Sequence, residues 1–301
     1  MANTLNLGNG NWAAKEGSLL AYNDENGNFK PLPFDFTRAS SATRVNSQGL
    51  IEVVGSDQPR VDYSSGEGAL LLEPQRTNLM PYSEAIEEWQ RIRDVTVESN
   101  TTETLSPEGV YNAVKLTATT TDPYIFESIN VTANPHTMSF YVKGVGDSIG
   151  KVGNILFWYV GSATGATTSH NFTLTGDWQR IEATTTPTGA GILTFRIDIP
   201  ADLSVIGDEA YIYGVQVEEG SYATSYIPTQ GAAVTRVAEV CNNAGNDQVI
   251  NSTEGVLYVE MAATSFSSNY DVITLSDGTN NNLVGIFYLA NNKSINVNVK
   301  Q

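Results

Sequence analysis

Nine short segments between Trp89 and Pro228 carry the pattern that most constrains this chain. Apolar and polar residues alternate along most of them, and Gly, Pro, Asn and Thr separate one segment from the next. A period of two between turn residues predicts half-buried strands, and this number of strands in one run is typical of a β-sandwich. The segments are Val95–Glu98, Val114–Ala118, Tyr124–Ile129, Thr137–Val142, Ile155–Val160, Phe172–Leu174, Gln179–Ala183, Ile192–Ile199 and Ala210–Glu218.

One of these segments lacks the alternation. Ile155–Val160 is apolar throughout, and a continuous apolar run predicts a strand that is covered on both faces. The composition supports the strand assignment, since Thr, Asn, Ser and Gly are abundant while Leu and Lys are few. Such usage is typical of many short strands with polar turns. We therefore predict an all-β protein.

A second pattern occupies residues 36–84. Tight-turn residues separate short apolar pieces there, which predicts four short strands joined by tight turns. The stretch also holds an unusual share of the basic residues of the chain, namely Arg38, Arg44, Arg60 and Arg76. One interpretation pairs these arginines with nearby carboxylates, since buried arginines need partners. The candidate carboxylates are Asp35, Asp62 and Glu73. The other interpretation is an anchoring surface for a second protein.

The regions beside this stretch are less regular. Turn residues at Asn23–Gly27 predict a hairpin within residues 1–35. The apolar segments of residues 1–35 are too short to form a core, so we expect these residues to dock on another chain or copy. Ser83 is predicted to cap a short helix that ends at Glu88. Residues 231–253 show no sustained period and are predicted to be a linker.

Four further strand patterns lie within residues 254–301. Four strands alone would leave an apolar face exposed. We therefore expect either that the chain is truncated here, which we favour, or that neighbouring copies complete the sheet.

The charge balance restricts the partners. The net charge of −17 argues against nucleic acid, because phosphate contacts need clustered Lys and Arg. It also disfavours an anionic membrane surface, and no run is long and apolar enough to span a bilayer. Cys241 is the single cysteine, so no intrachain disulfide can form. The first residues lack the basic and apolar regions of a signal peptide.

No catalytic signature emerges from the sequence. His136 and His170 have neither metal-ligand spacing nor a partnered Cys or Ser motif. A glycosidase needs two suitably spaced carboxyl groups, and candidates are spread over strand ends and turns. These are Asp198, Asp208, Glu209, Glu218 and Glu219. We predict that the protein is not an enzyme and uses no cofactor. Asp177 or Asp208 would contribute to a structural calcium site, but the sequence contains no contiguous calcium loop.

Aromatic side chains offer a different chemistry. Rings stack on the C–H faces of sugars, and Trp158, Tyr159 and Tyr124 are the candidates for glycan contact. The alternative is that these rings belong to the core, as the apolar run around Trp158 favours. Trp178 is interpreted as a packing residue at the start of a strand.

Ordered motifs give the chain a family resemblance. Phe-Thr-Arg-Ala-Ser-Ser-Ala-Thr at 36–43, Pro-Arg-Val-Asp-Tyr at 59–63 and Leu-Leu-Leu-Glu-Pro-Gln-Arg-Thr-Asn-Leu at 70–79 resemble a module of tailed-bacteriophage fibre and spike proteins. Met-Ser-Phe-Tyr-Val-Lys at 138–143 and the run 211–228 resemble the carbohydrate-binding-like jelly roll of such fibres. The strand patterns near the end of the chain resemble the opening half of a concanavalin-like lectin sandwich.

The resemblance implies a domain order. An N-terminal virion-attachment segment (1–35) precedes a β-rich connecting module (36–84) and a carbohydrate-binding-like jelly roll (85–230). A linker (231–253) and the first part of a lectin-like sandwich (254–301) follow.

The resemblance also implies a function. The expected protein is a head or tail fibre or spike adhesin, homotrimeric, that binds capsid, collar or tail proteins and presents its sandwiches to host-surface glycans. It is expected in the virion after assembly in the host cytoplasm. A polysaccharide-degrading spike enzyme and a structural decoration protein without a ligand remain the alternatives.

Overall fold

Short strands joined by turns make up nearly all of the described structure. The computed structural model describes residues 12–15, 18–21, 32–161, 163–199, 205–243, 257–259, 261, 270–289 and 294–300. Two 3₁₀ turns, Ile86–Glu88 and Gly146–Ser148, interrupt the strands. In chain order the strands are β1 (Trp12–Lys15), β2 (Ser18–Ala21), β3 (Leu32–Thr37), β4 (Ala42–Val45), β5 (Ile51–Val54), β6 (Arg60–Asp62), β7 (Ala69–Leu71), β8 (Arg76–Asn78), β9 (Arg91–Arg93), β10 (Val95–Glu98), β11 (Val114–Ala118), β12 (Tyr124–Val131), β13 (His136–Val145), β14 (Val152–Val160), β15 (Thr168–Thr173), β16 (Gln179–Thr185), β17 (Gly191–Asp198), β18 (Glu209–Glu219), β19 (Val234–Arg236), β20 (Val240–Asn242), β21 (Tyr270–Ser276), β22 (Leu283–Leu289) and β23 (Ser294–Lys300).

The strands β9 to β18 form a β-sandwich of two five-stranded antiparallel sheets. The front sheet has the order β15-β14-β17-β12-β9, and the back sheet has the order β10-β11-β18-β13-β16. Each of the nine predicted segments is a strand, and β9 is the tenth. The predicted all-β, jelly-roll class of fold is confirmed.

The core of the sandwich lies between the two sheets. Alternate residues point inward, and Phe140, Ile155 and Phe195 are fully buried there. Trp89 closes one end, with its ring edge-to-face against Phe195 at 5.7 Å between centroids. Each fully buried side chain of this size contributes about 1.5–3 kcal/mol through removal from water. This continuous apolar layer fixes which side chains of each sheet face outward.

The back sheet is covered on its outer face as well. Tyr213 of β18 packs there against Ile51 of the 36–84 stretch and against Tyr226, whose ring lies 5.5 Å from that of Tyr213. Almost every residue of β18 is therefore buried. The front sheet differs, since its outer face carries half-buried and exposed side chains.

The prediction that Ile155–Val160 is covered on both faces is wrong. Ile155 and Phe157 point into the core and are at most 1% exposed. Leu156 and Trp158 lie on the outer face and are half-buried, and Val160 is 47% exposed. The apolar run therefore combines an inner core row with an outer apolar row.

Residues 36–84 fold into hairpins that pack on the sandwich. The pairs β4–β5 and β6–β7 confirm the predicted short strands and tight turns. β8 pairs with β19, and β3 pairs with both β2 and β20. The β2–β3 pair agrees with the predicted N-terminal hairpin, whose turn at 23–27 lies outside the described residues. β19 and β20 lie within residues 231–253, which were predicted to be a linker.

Ser83 does not cap a helix. The 3₁₀ turn at Ile86–Glu88 begins after Ala85, without a side-chain cap. The Ser83 hydroxyl instead lies 2.7 Å from the Tyr226 hydroxyl and accepts the backbone N–H of Thr229 at 2.8 Å. A capping serine and a tertiary anchor have the same local sequence, so the pattern did not distinguish them.

Glu239 joins the distant parts of the chain through a buried ion cluster. The side chains of Arg38, Arg60 and Glu239 are completely buried. Arg38 Nη1 and Arg60 Nε donate to Glu239 Oε1 at 2.8 and 2.7 Å. The backbone N–H of Glu73 donates to Glu239 Oε2 at 2.9 Å. Arg38 and Glu239 are 201 residues apart, so these bonds join the segment before the sandwich to the segment after it.

Glu73 extends the same cluster into the sandwich. Its carboxylate binds Arg60 at 2.8 Å and Arg236 at 3.0 Å, and it accepts the backbone N–H of Ser225 at 2.8 Å. Burial alone would raise the pKa of Glu73, but Arg236 and Arg60 outweigh it and hold that pKa below the ordinary value. Glu73 is therefore ionised at neutral pH.

The predicted pairing with local carboxylates holds for Arg60 and Arg44 and fails for Arg38. The Arg60–Glu73 pair is confirmed, whereas Arg38 pairs with Glu239. Asp62 accepts the backbone N–H of Val45 at 2.7 Å, and Arg44 pairs with Glu52 on the surface. Asp35 accepts the Asn243 side-chain amide, and the Arg76 guanidinium lies 5.0 Å from the ring centroid of Tyr222.

The described part of residues 254–301 is a three-stranded antiparallel meander, β21-β22-β23. The register places Ile273, Val284 and Val299 on one face with Ile295 and Val297. All five are exposed, the last strand most strongly, at 64–65%. The predicted strand that begins at residue 255 lies largely outside the described residues.

The ion cluster predicts a large stability cost for loss of Glu239. Glu239→Gln removes the carboxylate that pairs with Arg38 and one of the two carboxylates that pair with Arg60. Because these guanidinium groups are buried, we expect the free energy of unfolding to fall by about 3–5 kcal/mol. Glu52→Gln removes an exposed pair and should cost about 0–1 kcal/mol. Urea denaturation of both variants measures the difference. Equal costs would contradict a structural role for the cluster.

His136 predicts a pH dependence of stability. Its ring is 1% exposed and its Nδ1–H donates to the Asn134 carbonyl at 2.7 Å, and burial lowers its pKa. The unfolded chain therefore takes up a proton first as the pH falls, and stability is lost below the ordinary pKa of 6.5. Between about pH 7.5 and pH 5, the wild type should lose up to about 1.4 kcal/mol per pH unit more than His136→Gln. Parallel curves from denaturation at several pH values would show that His136 does not titrate this way.

Candidate functional site: an aromatic and guanidinium pocket on the front sheet

The register of the front sheet brings distant residues together on its outer face. Directly paired residues of antiparallel strands point to the same side. Leu156 of β14 pairs with Arg196 of β17, and Arg196 pairs with Phe126 of β12. Trp158 lies two residues beyond Leu156 and Tyr124 two residues before Phe126, so both share this face. The five side chains line a pocket of about 420 Å³.

Aromatic rings form one wall of this pocket. The Phe126 and Trp158 rings meet edge-to-face at 5.9 Å between centroids. Tyr124 and Phe126 are stacked at 6.2 Å, with an interplanar angle of 21°. Rings of this kind are normally buried in a core. Here they lie on the one sheet face that the 36–84 stretch leaves uncovered.

Arg196 lies against the Tyr124 ring of this wall. Its guanidinium carbon is 3.9 Å from the ring centroid of Tyr124, and that of Arg93 is 5.4 Å from the same centroid. Cations at such distances are attracted by the negative face of the ring. The Tyr124 ring thus holds the guanidinium groups in position.

Two carboxylates fix Arg196 from the side. Its Nε donates to Asp198, and its Nη2 donates to Asp122 at 2.8 Å. Burial alone would lower the pKa of Arg196, but the bonds to Asp198 and Asp122 outweigh it and raise that pKa. Burial raises the pKa of Asp198, although Arg196 acts in the opposite direction. Arg196 is therefore a permanent cation beside two carboxylates.

Small polar side chains continue the face beside the rings. Thr194 pairs with both Trp158 and Ser128, and the two hydroxyl oxygens of Thr194 and Ser128 lie 2.9 Å apart. Asn154 donates to Asn171 on β15 at 2.6 Å. Thr194 is only 3% exposed, so the half-buried Ser128 and Asn154 are the polar groups of this set that a ligand can reach.

The structure brings two of the three predicted glycan-contact residues together. Trp158 and Tyr124 line the pocket. Tyr159 points to the other side of β14, packs against the core and hydrogen-bonds to Thr185. Sequence reasoning missed Phe126, Leu156 and Arg196. The alternation within Tyr124–Phe126 was a signal for Phe126, whereas Arg196 needed the pairing of β12 with β17.

The other predicted site residues lie elsewhere. Trp178 packs near the ring of Tyr211 and its Nε1–H donates to the Leu105 carbonyl at 2.8 Å. Asp208 binds Lys151 through both carboxylate oxygens at 2.7 Å. Within the described residues, no three His, Cys, Asp or Glu side chains are grouped so as to hold a metal ion. In the same part of the chain, no helix has the length and apolar character of a membrane span.

Comparison with known proteins finds only distant structural likenesses. No protein-family model and no curated sequence matches the chain. The enzymatically active domain of tailspike protein 4 of bacteriophage CBA120 is 14% identical over 46% of this chain, with a TM-score of 0.34, and the match spans only 21% of that chain. The carbohydrate-binding module of Cellvibrio mixtus lichenase 5A, solved with cellotriose, is 12% identical over 48% of this chain and 98% of its own, with a TM-score of 0.32.

A third solved structure is the xylan-binding domain of Paenibacillus barcinonensis Xyn10C. It is 13% identical over 49% of this chain and 94% of its own, with a TM-score of 0.35. At these values the likenesses supply no argument for a function. The class that the fold and the pocket define is an all-β protein with a β-sandwich and a partly buried aromatic site on one sheet face.

Proposed function

We propose that the front-sheet pocket binds a glycan and that the protein is an adhesin. The observation that carries the proposal is the pair of half-buried rings, Phe126 and Trp158, beside the buried ring of Tyr124 and a fixed guanidinium on the outer face of the front sheet. Sugar rings present C–H faces that stack on aromatic side chains. Their hydroxyl groups accept from guanidinium donors and donate to carboxylate or amide oxygens.

Trp158 is the proposed stacking platform. The Tyr124 ring already holds the guanidinium groups of Arg93 and Arg196, so its contribution is to position them. Trp158 contacts Phe126 by an edge and remains half-buried on the outer face. Arg196 then lies within the same pocket to bind hydroxyl groups of the stacked sugar.

We further propose that the adhesin is a fibre or spike of a tailed-bacteriophage virion, attached by its N-terminal part. The support is the order of the motifs within residues 36–79 and 138–228, which resembles such fibres. Capsid, collar or tail proteins are the proposed virion partners, and host-surface glycans the proposed ligands. The arrangement of the protein fits this role, since residues 36–84 pack on the outer face of the back sheet and leave the outer face of the front sheet accessible.

Binding without hydrolysis is proposed for the site. Asp122 and Asp198 are the carboxylates beside the pocket, and both are hydrogen-bonded to Arg196, which holds them away from general acid–base work. The alternative of a polysaccharide-degrading enzyme has one supporting observation, the pKa of Asp198 that burial raises. A reducing-sugar assay over a polysaccharide panel separates the two. Sugar release that Asp198→Asn abolishes would favour the enzyme.

Substitution of the platform tests glycan binding. Trp158→Ala removes the stacking ring, and we expect a loss of affinity of about five- to 150-fold for any glycan that the full chain binds, since stacked rings contribute about 1–3 kcal/mol. Glycan-array screening followed by calorimetry measures it. Trp178→Ala is the matched control, because Trp178 is also half-buried but lies outside the pocket.

Three outcomes separate the candidate functions. Loss of binding in Trp158→Ala with retention in Trp178→Ala supports the site. Equal affinities in both variants would place the binding elsewhere. An array without hits, together with the protein present on purified virions, would favour a structural decoration protein.

We also propose that the protein self-associates as a trimer, the state that the resemblance to phage fibres implies. Ile295 and Val297 are 65% and 64% exposed on an apolar face, which either another copy or further strands of the same sandwich would cover. We expect sedimentation analysis to find an oligomer, with a trimer as the proposed state. The double substitution Ile295→Thr and Val297→Thr should shift it toward the monomer, because threonine keeps the β-branched shape. An unchanged oligomer would exclude this face from the interface.

A further inference from the structure

We propose that the front-sheet pocket selects uncharged glycans whose sugars carry a methyl-bearing substituent, such as an N-acetyl group or the methyl group of a 6-deoxy sugar. This inference rests on the proposed glycan-binding function and specifies its ligand class. Two independent features carry it. They are an apolar stripe that continues the pocket, and the internal neutralisation of the pocket's charges.

The stripe runs along the outer face of β14 and crosses to β17. Leu156, Trp158 and Val160 are successive outward residues of β14, and Val160 pairs directly with Ile192. Val160 is 47% exposed and Ile192 is 38% exposed. The stripe extends about 13 Å at the usual rise of ~3.3 Å per residue. Outward positions of a solvent-facing strand are normally polar, so an unbroken apolar row is unusual there.

The position of the stripe makes it part of the ligand site. Leu156 and Trp158 line the pocket itself, and Val160 and Ile192 follow on the side away from Arg196. A sugar stacked on Trp158 would therefore have its polar groups near Arg196 at one end and an apolar ledge, Val160 with Ile192, at the other. An unsubstituted hexose would set hydroxyl groups on that ledge, where the two aliphatic side chains offer no hydrogen bond.

The charges of the pocket argue against an anionic sugar. Arg196 is paired with both Asp198 and Asp122, and Arg93 is paired with Asp94 and Asp122. Two guanidinium groups thus face three carboxylates, and a carboxylate or phosphate on the ligand would meet a site without surplus positive charge. Arg196 still has donors for neutral hydroxyl groups, because a guanidinium carries five N–H bonds.

Matched ligands test the substituent. Chitohexaose and cellohexaose share a backbone and differ in an N-acetyl group against a hydroxyl group, and conjugates of L-fucose and L-galactose differ in a methyl group against a hydroxymethyl group. Calorimetry on the full chain should show, in at least one pair, tighter binding of the methyl-bearing member by about fourfold or more, the effect expected for one buried methyl group. Polyglucuronate should bind more weakly than either preferred ligand.

The double substitution Val160→Thr and Ile192→Thr tests the ledge. We expect it to reduce the preference to less than twofold, while affinity for the unsubstituted member changes little and the melting temperature confirms folding. Equal affinities within both pairs, an unchanged preference in the double variant, or tightest binding of polyglucuronate would each overturn the inference. If cellohexaose binding depends on Trp158 but no preference appears, the proposed function stands and the inference fails. If no ligand in the panel binds, the inference fails, and the glycan array decides the proposed function separately.

Discussion

The buried ion cluster is the constraint on which the arrangement of this protein depends. A guanidinium group removed from water must be met by carboxylates and carbonyl oxygens, or folding is opposed by several kcal/mol (on the order of 3–5 for one broken pair). Arg38 and Arg60 lie in hairpins near the start of the described chain, yet the carboxylate that satisfies both is Glu239, beyond the sandwich. The chain therefore has to return past the sandwich before the hairpins are stable. Residues 36–84, Ser225 and residues 234–242 consequently form one structural unit.

That closure decides which face of the sandwich meets solvent. The hairpins of residues 36–84 and the segment around Tyr226 cover the outer face of the back sheet, where Ile51 and Tyr226 pack on Tyr213. Backbone bonds reinforce the contact, since the Leu79 N–H donates to the Val217 carbonyl at 2.7 Å. The front sheet receives no comparable cover from the described residues. Its exposed pocket is thus a consequence of the same cluster, although no residue of the cluster touches it.

The sequence was informative about local structure and much less about pairing between distant segments. Short strand patterns between turn residues located nine of the ten sandwich strands, and their aromatic residues drew attention to Trp158 and Tyr124. The same patterns did not show which strands have both faces buried. The β14 sequence is apolar on both faces, yet one face is open to solvent, whereas β18 contains Gln216 and Glu218 and is buried on both faces. A buried carboxylate such as Glu218, which accepts the Thr224 N–H at 2.8 Å, looks solvent-facing in sequence. Arg196 and Glu239 were missed for a related reason, since each matters through partners on other strands.

The same chemical pair has different consequences at the two places where it occurs. Around Glu239 the guanidinium and carboxylate groups are fully buried, and their bonds fix the chain path. At the pocket Arg196 is 23% exposed and pairs with Asp122, which is 51% exposed, so water and ligand can reach the ion pair. Behind it, Phe157 and Phe195 form a rigid core layer, so the outer side chains have little freedom to collapse over Trp158 and Val160. The outer face therefore keeps its apolar surface in contact with water after folding. A ligand that covers this surface removes it from water, and the free energy of that burial then favours binding.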